Sequence, residues 1–121
     1  MSITLSKDIK NLIEKNSVAL ATVMSDGRPN VIGVAYVKVV DGNHLLVTDN
    51  YMNQTIKDIS NNPNVAIVVW DKEMNGYKLI GKCGYFTTGE WVDRVKALPE
   101  NKGMPSKRAL LITVEKIIKS A

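Results

Sequence analysis

The sequence contains one cysteine and one histidine in 121 residues, and this scarcity removes several classes of site. Because Cys83 is alone, neither an intrachain disulfide nor a cysteine-based zinc cluster can form within the chain, and a reducing cytoplasm is the expected location. Burial as a small apolar side chain is the simpler interpretation of Cys83. His44 follows a hairpin signal, where a solvated position is simpler than catalysis. The Asp and Glu residues lack the clustering of a metal site or an acid–base pair.

Long apolar runs and basic blocks are also missing. No run approaches the roughly 20 residues of a membrane span, and the N-terminus lacks the signal-peptide pattern, so no membrane association is expected. The net charge is +4, yet no basic block exceeds two residues. The few aromatic residues, 2 Trp, 4 Tyr and 1 Phe, are not interleaved with Lys or Arg. Nucleic acid is therefore not expected as a partner.

The composition that is present is that of a folded domain. Hydrophobic residues make up 45% of the chain and charged residues 23%, which argues against disorder. A chain of this length has room for one core, so residues 1–121 are predicted to form a single domain.

Apolar periodicity predicts a mainly β fold with about three short helices. Residues 6–16 begin with Ser6 as an N-cap and place Ile9 and Ile13 on one helical face. Further short helices are expected at 54–61 and 90–98. Six strands are expected at 17–24, 31–40, 44–48, 65–70, 77–88 and 109–117. Within the fifth strand, Gly81 and Gly84 mark a bulge, a bend or a close backbone approach.

The pattern of the strands indicates both closure and a partner. Six mainly antiparallel strands are expected to close, or nearly close, into a barrel because closure removes exposed edges. The stretch "VIGVAYVKVV" at 31–40 has only Lys38 charged, and "VAIVVW" at 65–70 has no charge. Strands with one wet face alternate apolar and polar residues, so both faces of these strands must be covered. Short helices cannot cover that area, and a homodimer packed barrel to barrel is predicted.

The segment from Thr48 to Thr55, hereafter the hinge, is the strongest candidate for a binding site. It holds six polar and two apolar residues between a predicted strand and a predicted helix. The free N–H groups at a helix start, together with nearby hydroxyls and amides, suit a phosphate. The same residues are also compatible with a helix cap formed by Asn53 or its neighbours. Local sequence leaves both interpretations open.

Taken in order, these segments resemble the small FMN-binding split-barrel proteins related to pyridoxamine 5'-phosphate oxidase. The resemblance covers nearly the whole chain. It is carried by "VALATVMSDGRPNV", "YVKVVDGNHLLV", the Thr and Gln-Thr of the hinge, "NNPNVAIVVW", "GKCGYFTTG" and "RALLITVEKI". It implies a six-stranded antiparallel split barrel, a homodimer and one FMN at each of two sites at the subunit interface.

The resemblance also implies where FMN would lie. The phosphate is expected at the hinge and the flavin ring along residues 31–35, while residues 105–108 are expected to approach from the other subunit. The cofactor-binding residues predicted on this basis are Ile32, Gly33, Val34, Ala35, Thr48, Asp49, Asn53, Gln54, Thr55 and Lys107. The implied function is electron or hydride transfer with an unknown redox partner or small-molecule substrate.

The sequence departs from the family pattern at charged positions. Ile32 stands where the oxidase has a basic residue, and Asn53-Gln54 replaces an expected Lys/Arg pair. Pyridoxamine phosphate oxidation itself is not expected, because the oxidase's longer C-terminal substrate region has no counterpart here. The neutral hinge leaves a deazaflavin or haem as an alternative ligand. A non-redox ligand-binding module is a further alternative.

Overall fold

Seven antiparallel strands form one sheet in the computed structural model, which describes residues 3–120. The strands are β1 Val18–Val23, β2 Pro29–Val34, β3 Val37–Val39, β4 His44–Asp49, β5 Asn64–Trp70, β6 Gly76–Phe86 and β7 Arg108–Ser120. The helices are α1 Lys7–Lys15, α2 Gln54–Asn61 and α3 Glu90–Ala97, followed by a 3-10 turn at Pro99–Asn101. The strand order is β2-β1-β5-β6-β7-β4-β3.

The predicted count of six strands is wrong, because the stretch 31–40 is broken at Ala35 and Tyr36. β2 pairs with β1 at one edge of the sheet, and β3 pairs with β4 at the other. Consecutive Cα atoms are about 3.8 Å apart, so Val34 and Val37 lie within about 11 Å of each other. The sheet must therefore curl until its edges come close. The mainly β antiparallel class is confirmed, and the apolar run hid the break because neither Gly nor Pro marks it.

Each helix packs on two strands of this curled sheet: α1 on β3 and β5, α2 on β1 and β2, and α3 on β4 and β7. In α1, Ser6 Oγ accepts a hydrogen bond from the backbone N–H of Ile9 at 3.2 Å, as the sequence predicts for an N-cap. Ile9 and Ile13 then join the main core. α3 packs Val92 and Val95 against β4 and β7. Within residues 3–120, every helix falls short of the length and apolar character that crossing a membrane requires.

The main core lies inside the curled sheet and is built from alternate positions of nearly every strand. Its most completely buried members include Leu20, Leu45, Ile67, Leu110 and Ile112. Burying a side chain of this size contributes about 1.5–3 kcal/mol. This core holds the ends of β2 and β4 in place, and the candidate site lies at those ends.

Gly81 marks a true irregularity in the β6–β7 pairing. The register shifts between Ile80 and Gly81. A Cβ atom on Gly81 would collide with the backbone carbonyl oxygen of Thr113, whereas a Cβ on Gly84 would meet nothing within 4 Å. The predicted close approach is therefore confirmed for Gly81, while Gly84 has no such neighbour.

Candidate functional site

A cavity of about 350 Å³ lies between the end of β2 and the hinge. This volume falls within the range of small-molecule sites. The side and main chains that line it are those of Ile32, Gly33, Val34, Ala35, Tyr36, Thr48, Asn50, Tyr51, Met52, Asn53, Gln54, Thr55, Asn101 and Met104. None of these described residues is Asp, Glu, His, Lys, Arg or Cys. The cavity is thus a mixed surface of apolar groups, amides and hydroxyls.

The cavity brings together two segments that are separate in sequence. Eight of the ten residues predicted to bind a cofactor line it, namely Ile32, Gly33, Val34, Ala35, Thr48, Asn53, Gln54 and Thr55. The other two, Asp49 and Lys107, do not line it. The lining also includes Asn50, Tyr51 and Met52, which lie within the predicted hinge, and three residues that sequence reasoning missed, which are Tyr36, Asn101 and Met104.

The start of α2 has no side-chain cap among the described residues. Asn53 occupies the N-cap position, and in the described part of the chain its side chain makes no capping hydrogen bond. The first turn of α2 carries no acidic residue. The expected alternative, in which Asn53 caps the helix, is therefore not the arrangement found. The N–H groups of the first turn and the positive end of the helix dipole can attract an anion.

Two threonines at the cavity are held by amides from distant segments. Asn101 Nδ2 donates to Thr48 Oγ1 at 2.7 Å, and Asn30 Nδ2 donates to Thr55 Oγ1 at 3.3 Å. Asn30 lies at the start of β2, and Asn101 lies in the 3-10 turn. Sequence gave no signal for either, because an isolated asparagine in a turn or loop looks like ordinary turn chemistry.

Gln54 lines the cavity but its amide is already engaged. Its Nε2 donates to Asp58 Oδ1 at 2.7 Å, one turn further along α2. Asn53 is exposed, and its side chain is the more available of the two amides at the hinge.

The Asp49 carboxylate holds the start of the hinge in place through two hydrogen bonds. Its carboxylate is completely buried. One oxygen accepts from the backbone N–H of Met52 at 2.7 Å, and the other accepts from Arg108 Nη1 at 2.6 Å. These two bonds fix the chain as it leaves β4, so Asp49 supports the hinge rather than lining the cavity.

The segment before β7 contacts the hinge of its own chain. The backbone N–H of Lys107 donates to the carbonyl oxygen of Asp49 at 2.8 Å, and that of Ser106 donates to Asn50 Oδ1, also at 2.8 Å. The resemblance had placed this segment near the site from the other subunit, and here it supports the site within one chain.

A basic cleft adjoins the cavity. It is lined by Lys57, Lys107 and Arg108, and it shares Tyr51, Met52 and Asn53 with the cavity. Lys107 therefore lies on the neighbouring side of the hinge. Its positive charge favours anions approaching the cavity at long range.

Cys83 and His44 lie away from the cavity lining. Burial raises the pKa of the Cys83 thiol to about 12, so the reactive thiolate is scarce at neutral pH. His44 Nδ1 lies 2.8 Å from Asp41 Oδ1 in the β3–β4 hairpin. Backbone N–H donation from Asn43 lowers the pKa of Asp41, with a further contribution from His44. Throughout residues 3–120, no group of three or more His, Cys, Asp and Glu residues is arranged for a metal ion.

Large apolar side chains are exposed around the cavity. Tyr36, Tyr51 and Met104 line it with exposed fractions of 61%, 73% and 40%. Val31, which precedes the lining residue Ile32 on the edge strand β2, is 65% exposed. A cluster of this kind beside a cavity is typical of an interaction surface.

Comparison with known proteins places the chain in a family. Residues 5–121 match the family model described as pyridoxamine 5'-phosphate oxidase. An uncharacterized protein of Methanocaldococcus jannaschii is 33% identical over 92 residues, which is 74% of this chain and 62% of that protein. The matched part therefore spans less than two thirds of that relative.

Solved structures share the same fold. HupZ of Group A Streptococcus aligns with a TM-score of 0.86 at 26% identity, covering 95% of this chain and 93% of that one. An FMN-binding protein of Syntrophomonas wolfei aligns with a TM-score of 0.79 at 18% identity, covering 93% and 84%. A protein described as F420 reductase aligns with a TM-score of 0.74 at 22% identity, covering 96% and 100%. With its curled antiparallel sheet and its family match over residues 5–121, this chain belongs to the pyridoxamine 5'-phosphate oxidase family of split barrels.

Proposed function

We propose that the chain is a homodimeric FMN-binding flavoprotein that transfers electrons or a hydride with an unidentified redox partner or small-molecule substrate. One observation carries the proposal: the end of β2 and the open start of α2 face a single cavity of about 350 Å³. A reducing cytoplasm, expected from the lone cysteine, is its setting. The Syntrophomonas wolfei protein of the same fold is described as FMN-binding, which supports the choice of cofactor.

The residues present fit a phosphate ester linked to a flat ring. Uncapped N–H groups of α2 and the hydroxyls of Thr48 and Thr55 would hold the phosphate. The backbone of residues 32–35, with Gly33 among them, would lie along the ring. Lys57 and Lys107 in the neighbouring cleft supply positive charge that the lining itself does not, whereas Arg108 there is paired with Asp49.

FMN, when bound, supplies the redox chemistry of its ring system, and the protein supplies binding, orientation and electrostatics. The described lining offers amides, hydroxyls and apolar groups, with the two tyrosines as its only ionisable side chains. Such a lining positions a cofactor without a strong acid or base beside it. This composition favours electron or hydride transfer over a reaction that needs a dedicated proton donor.

A second copy of the chain is the proposed cover for the cavity. The exposed rim of Val31, Tyr36, Tyr51 and Met104 is apolar and aromatic, which is typical of interface anchors. A twofold dimer would pair this surface with itself or with the weakly polar outer face of β1 and β5. Covering the rim would also exclude water from the site.

A deazaflavin is the second candidate ligand. The F420 reductase shares the fold at a TM-score of 0.74, and the neutral cavity lining makes no demand for FMN in particular. Haem has less support, because the only histidine of the sequence, His44, does not line the cavity.

The deciding experiment is a thermal denaturation series with FMN, riboflavin, a deazaflavin cofactor and haem. A ligand that binds only the folded protein raises the melting temperature by mass action. We expect FMN to stabilise the protein most and the flavin absorbance spectrum to change on binding. Stabilisation by the deazaflavin alone would transfer the proposal to that cofactor. Stabilisation by none of the four would refute it.

A further inference from the structure

Both threonine hydroxyls at the cavity already accept a hydrogen bond from an asparagine. Asn101 Nδ2 donates to Thr48 Oγ1 at 2.7 Å, and Asn30 Nδ2 donates to Thr55 Oγ1 at 3.3 Å. A hydroxyl has one hydrogen to donate and two lone pairs to accept with. The direction of these bonds therefore decides what each hydroxyl can offer to a ligand.

The direction at Thr48 is set by a backbone carbonyl. Asn101 Nδ2 lies 2.7 Å from the carbonyl oxygen of Val95, which can only accept. The amide of Asn101 must therefore turn its NH₂ group to this side, where its second hydrogen reaches Thr48 Oγ1. Asn101 is 8% exposed, so water does not readily replace either bond. Thr48 accepts from Asn101 and keeps its own hydrogen.

The direction of the hydrogen bond at Thr55 is set by the buried carboxylate of Asp58, acting through Thr22 and Asn30. Asp58 is 1% exposed, and its Oδ2 lies 2.6 Å from Thr22 Oγ1. Asp58 Oδ2 accepts this bond, so Thr22 donates its one hydrogen to Asp58. Thr22 can then only accept from Asn30, whose Nδ2 lies 3.2 Å away. The same NH₂ group donates to Thr55, which also keeps its hydrogen.

We propose that these two chains of hydrogen bonds make Thr48 and Thr55 donors into the cavity, so that this neutral site selects ligands ending in an anionic phosphate over ligands ending in an alcohol. A phosphate oxygen only accepts hydrogen bonds, so it is suited by threonine hydroxyls whose hydrogens are already free to donate into the cavity. Asn30, Thr22, Asp58 and Asn101 are then positioning residues, since they act through the two threonines. This inference rests on the proposed function and explains how a site without the expected Lys/Arg pair can hold a phosphate.

Thr22 gives the sharpest test, because it does not line the cavity. In Thr22→Val, Asn30 loses the neighbour that fixes its orientation, and it can turn its carbonyl oxygen toward Thr55. Thr55 would then donate its hydrogen to the Asn30 carbonyl oxygen, and it could no longer donate to a ligand in the cavity. Thr22→Ser keeps the hydroxyl and is the matched control.

The measured quantity is the ratio of riboflavin Kd to FMN Kd, since the two ligands differ by the phosphate. A hydrogen bond to a charged group contributes about 1.5–3 kcal/mol, and 1.4 kcal/mol is tenfold in Kd. We expect Thr22→Val and Thr55→Val to lower the ratio about tenfold, and Thr22→Ser and Thr55→Ser to keep it within about twofold of wild type. A purely structural role would weaken both ligands together and leave the ratio unchanged, which would overturn the inference.

Failure of the proposed function has a separate signature. If wild type binds neither flavin, the redox proposal fails. The two chains of hydrogen bonds, hereafter the relay, are then tested alone by titration with inorganic phosphate, followed by the NMR shifts of the hinge amides. Phosphate binding that weakens in Thr22→Val and persists in Thr22→Ser would support the relay. No phosphate binding in wild type, or equal binding in both variants, would overturn it. Should Thr22→Val fail to fold, the Thr55→Val and Thr55→Ser pair decides the question by the same ratio or titration.

Discussion

Arg108 at the start of β7 donates through Nη1 to the completely buried Oδ2 of Asp49, 2.6 Å away at the end of β4. This pair joins two neighbouring strands where the chain enters the hinge. A second ion pair, between Arg28 and Asp26, has the same 2.6 Å separation but lies in an exposed turn. The two pairs share a length and differ in burial, so they form a natural comparison.

Removing Arg108 should destabilise the fold far more than removing Arg28. Arg108→Leu leaves the Asp49 carboxylate buried without its cation, and we expect a loss of about 3 kcal/mol in the free energy of unfolding. Arg28→Leu removes an exposed pair, for which about 0–1 kcal/mol is expected. Urea denaturation of both variants measures the difference. Equal losses would show that burial of Asp49 does not control the strength of its pair.

The exposed apolar rim should control assembly. Val31, next to the lining residue Ile32 in sequence, is 65% exposed, and Met74 is 63% exposed in the β5–β6 turn. We expect the proposed dimer to be lost in Val31→Glu, because this change places a charge in the proposed apolar interface, and to be kept in Met74→Glu. Sedimentation velocity distinguishes the two states. A dimer that survives Val31→Glu would locate the interface elsewhere.

A positive charge at the hinge should tighten FMN binding. The Asn53 side chain is exposed and makes no capping bond among the described residues, so it can be replaced without loss of a contact. We expect Asn53→Lys to lower the FMN Kd by about fivefold or more, since charge-assisted hydrogen bonds are roughly twice as strong as neutral ones. Riboflavin binding should not change. Asn53→Met controls for side-chain length, and isothermal titration measures all three proteins. If Asn53→Met tightens FMN equally, charge is not the cause.

Gly81 and Gly84 form a second matched pair. A methyl group at Gly81 would meet the carbonyl oxygen of Thr113, whereas one at Gly84 has open space. We expect Gly81→Ala to lower the free energy of unfolding by about 3 kcal/mol, because the backbone of β6 or β7 must shift. Gly84→Ala should change it by at most about 0.5 kcal/mol. Similar unfolding curves for the two variants would contradict the close approach.

Cys83 should make the fold sensitive to alkaline pH. The thiol pKa is 9.0 as the ordinary value and about 12 in the folded protein, so above pH 9 the unfolded chain loses its proton while the folded chain keeps it. Stability therefore falls with rising pH, by about 1.4 kcal/mol per unit between these two values. Below pH 9 the group has no effect.

The comparison variant for this prediction is Cys83→Ala, which lacks the titrating thiol. We expect the free energy of unfolding of wild type to fall more steeply than that of Cys83→Ala between pH 9 and pH 10. In the native state at pH 8, Cys83 should also resist a thiol-specific reagent and react only after denaturation. Parallel pH curves, or fast labelling of the native protein, would show that the thiol is accessible.

Local pattern was sufficient for most of the secondary structure. The N-cap at Ser6, the apolar strands and the helix at 54–61 all express preferences of neighbouring residues, and all appear near the predicted positions. The break at Ala35 and Tyr36 did not show, because it arises from a change of pairing partner. Pairing between β2 and β1, and between β3 and β4, is a property of the whole sheet.

The parts of the site formed by continuous segments were predictable from sequence, whereas contacts between residues distant in sequence were not. Residues 32–35 and most of the hinge, predicted from sequence because each is a continuous segment with a family pattern, line the cavity. Asn30 and Asn101 were missed, since their role comes from contacts with Thr55 and Thr48 across gaps of 25 and 53 residues. Asp49 was assigned to the cofactor from its place in the hinge, and the fold instead buries it against Arg108.

The sequence by itself determined the positions of most strands and of the short helices, the exclusion of intrachain disulfides and the polar character of the hinge, because these depend on residue type and local spacing. The tertiary structure decided which segments share the cavity and that the start of α2 lacks a side-chain cap. It also decided that the hydroxyls of Thr48 and Thr55 each accept a hydrogen bond from an asparagine. The physical reason is the short range of hydrogen bonding. A bond near 3 Å between residues far apart in sequence exists only once the sheet has curled and brought them together.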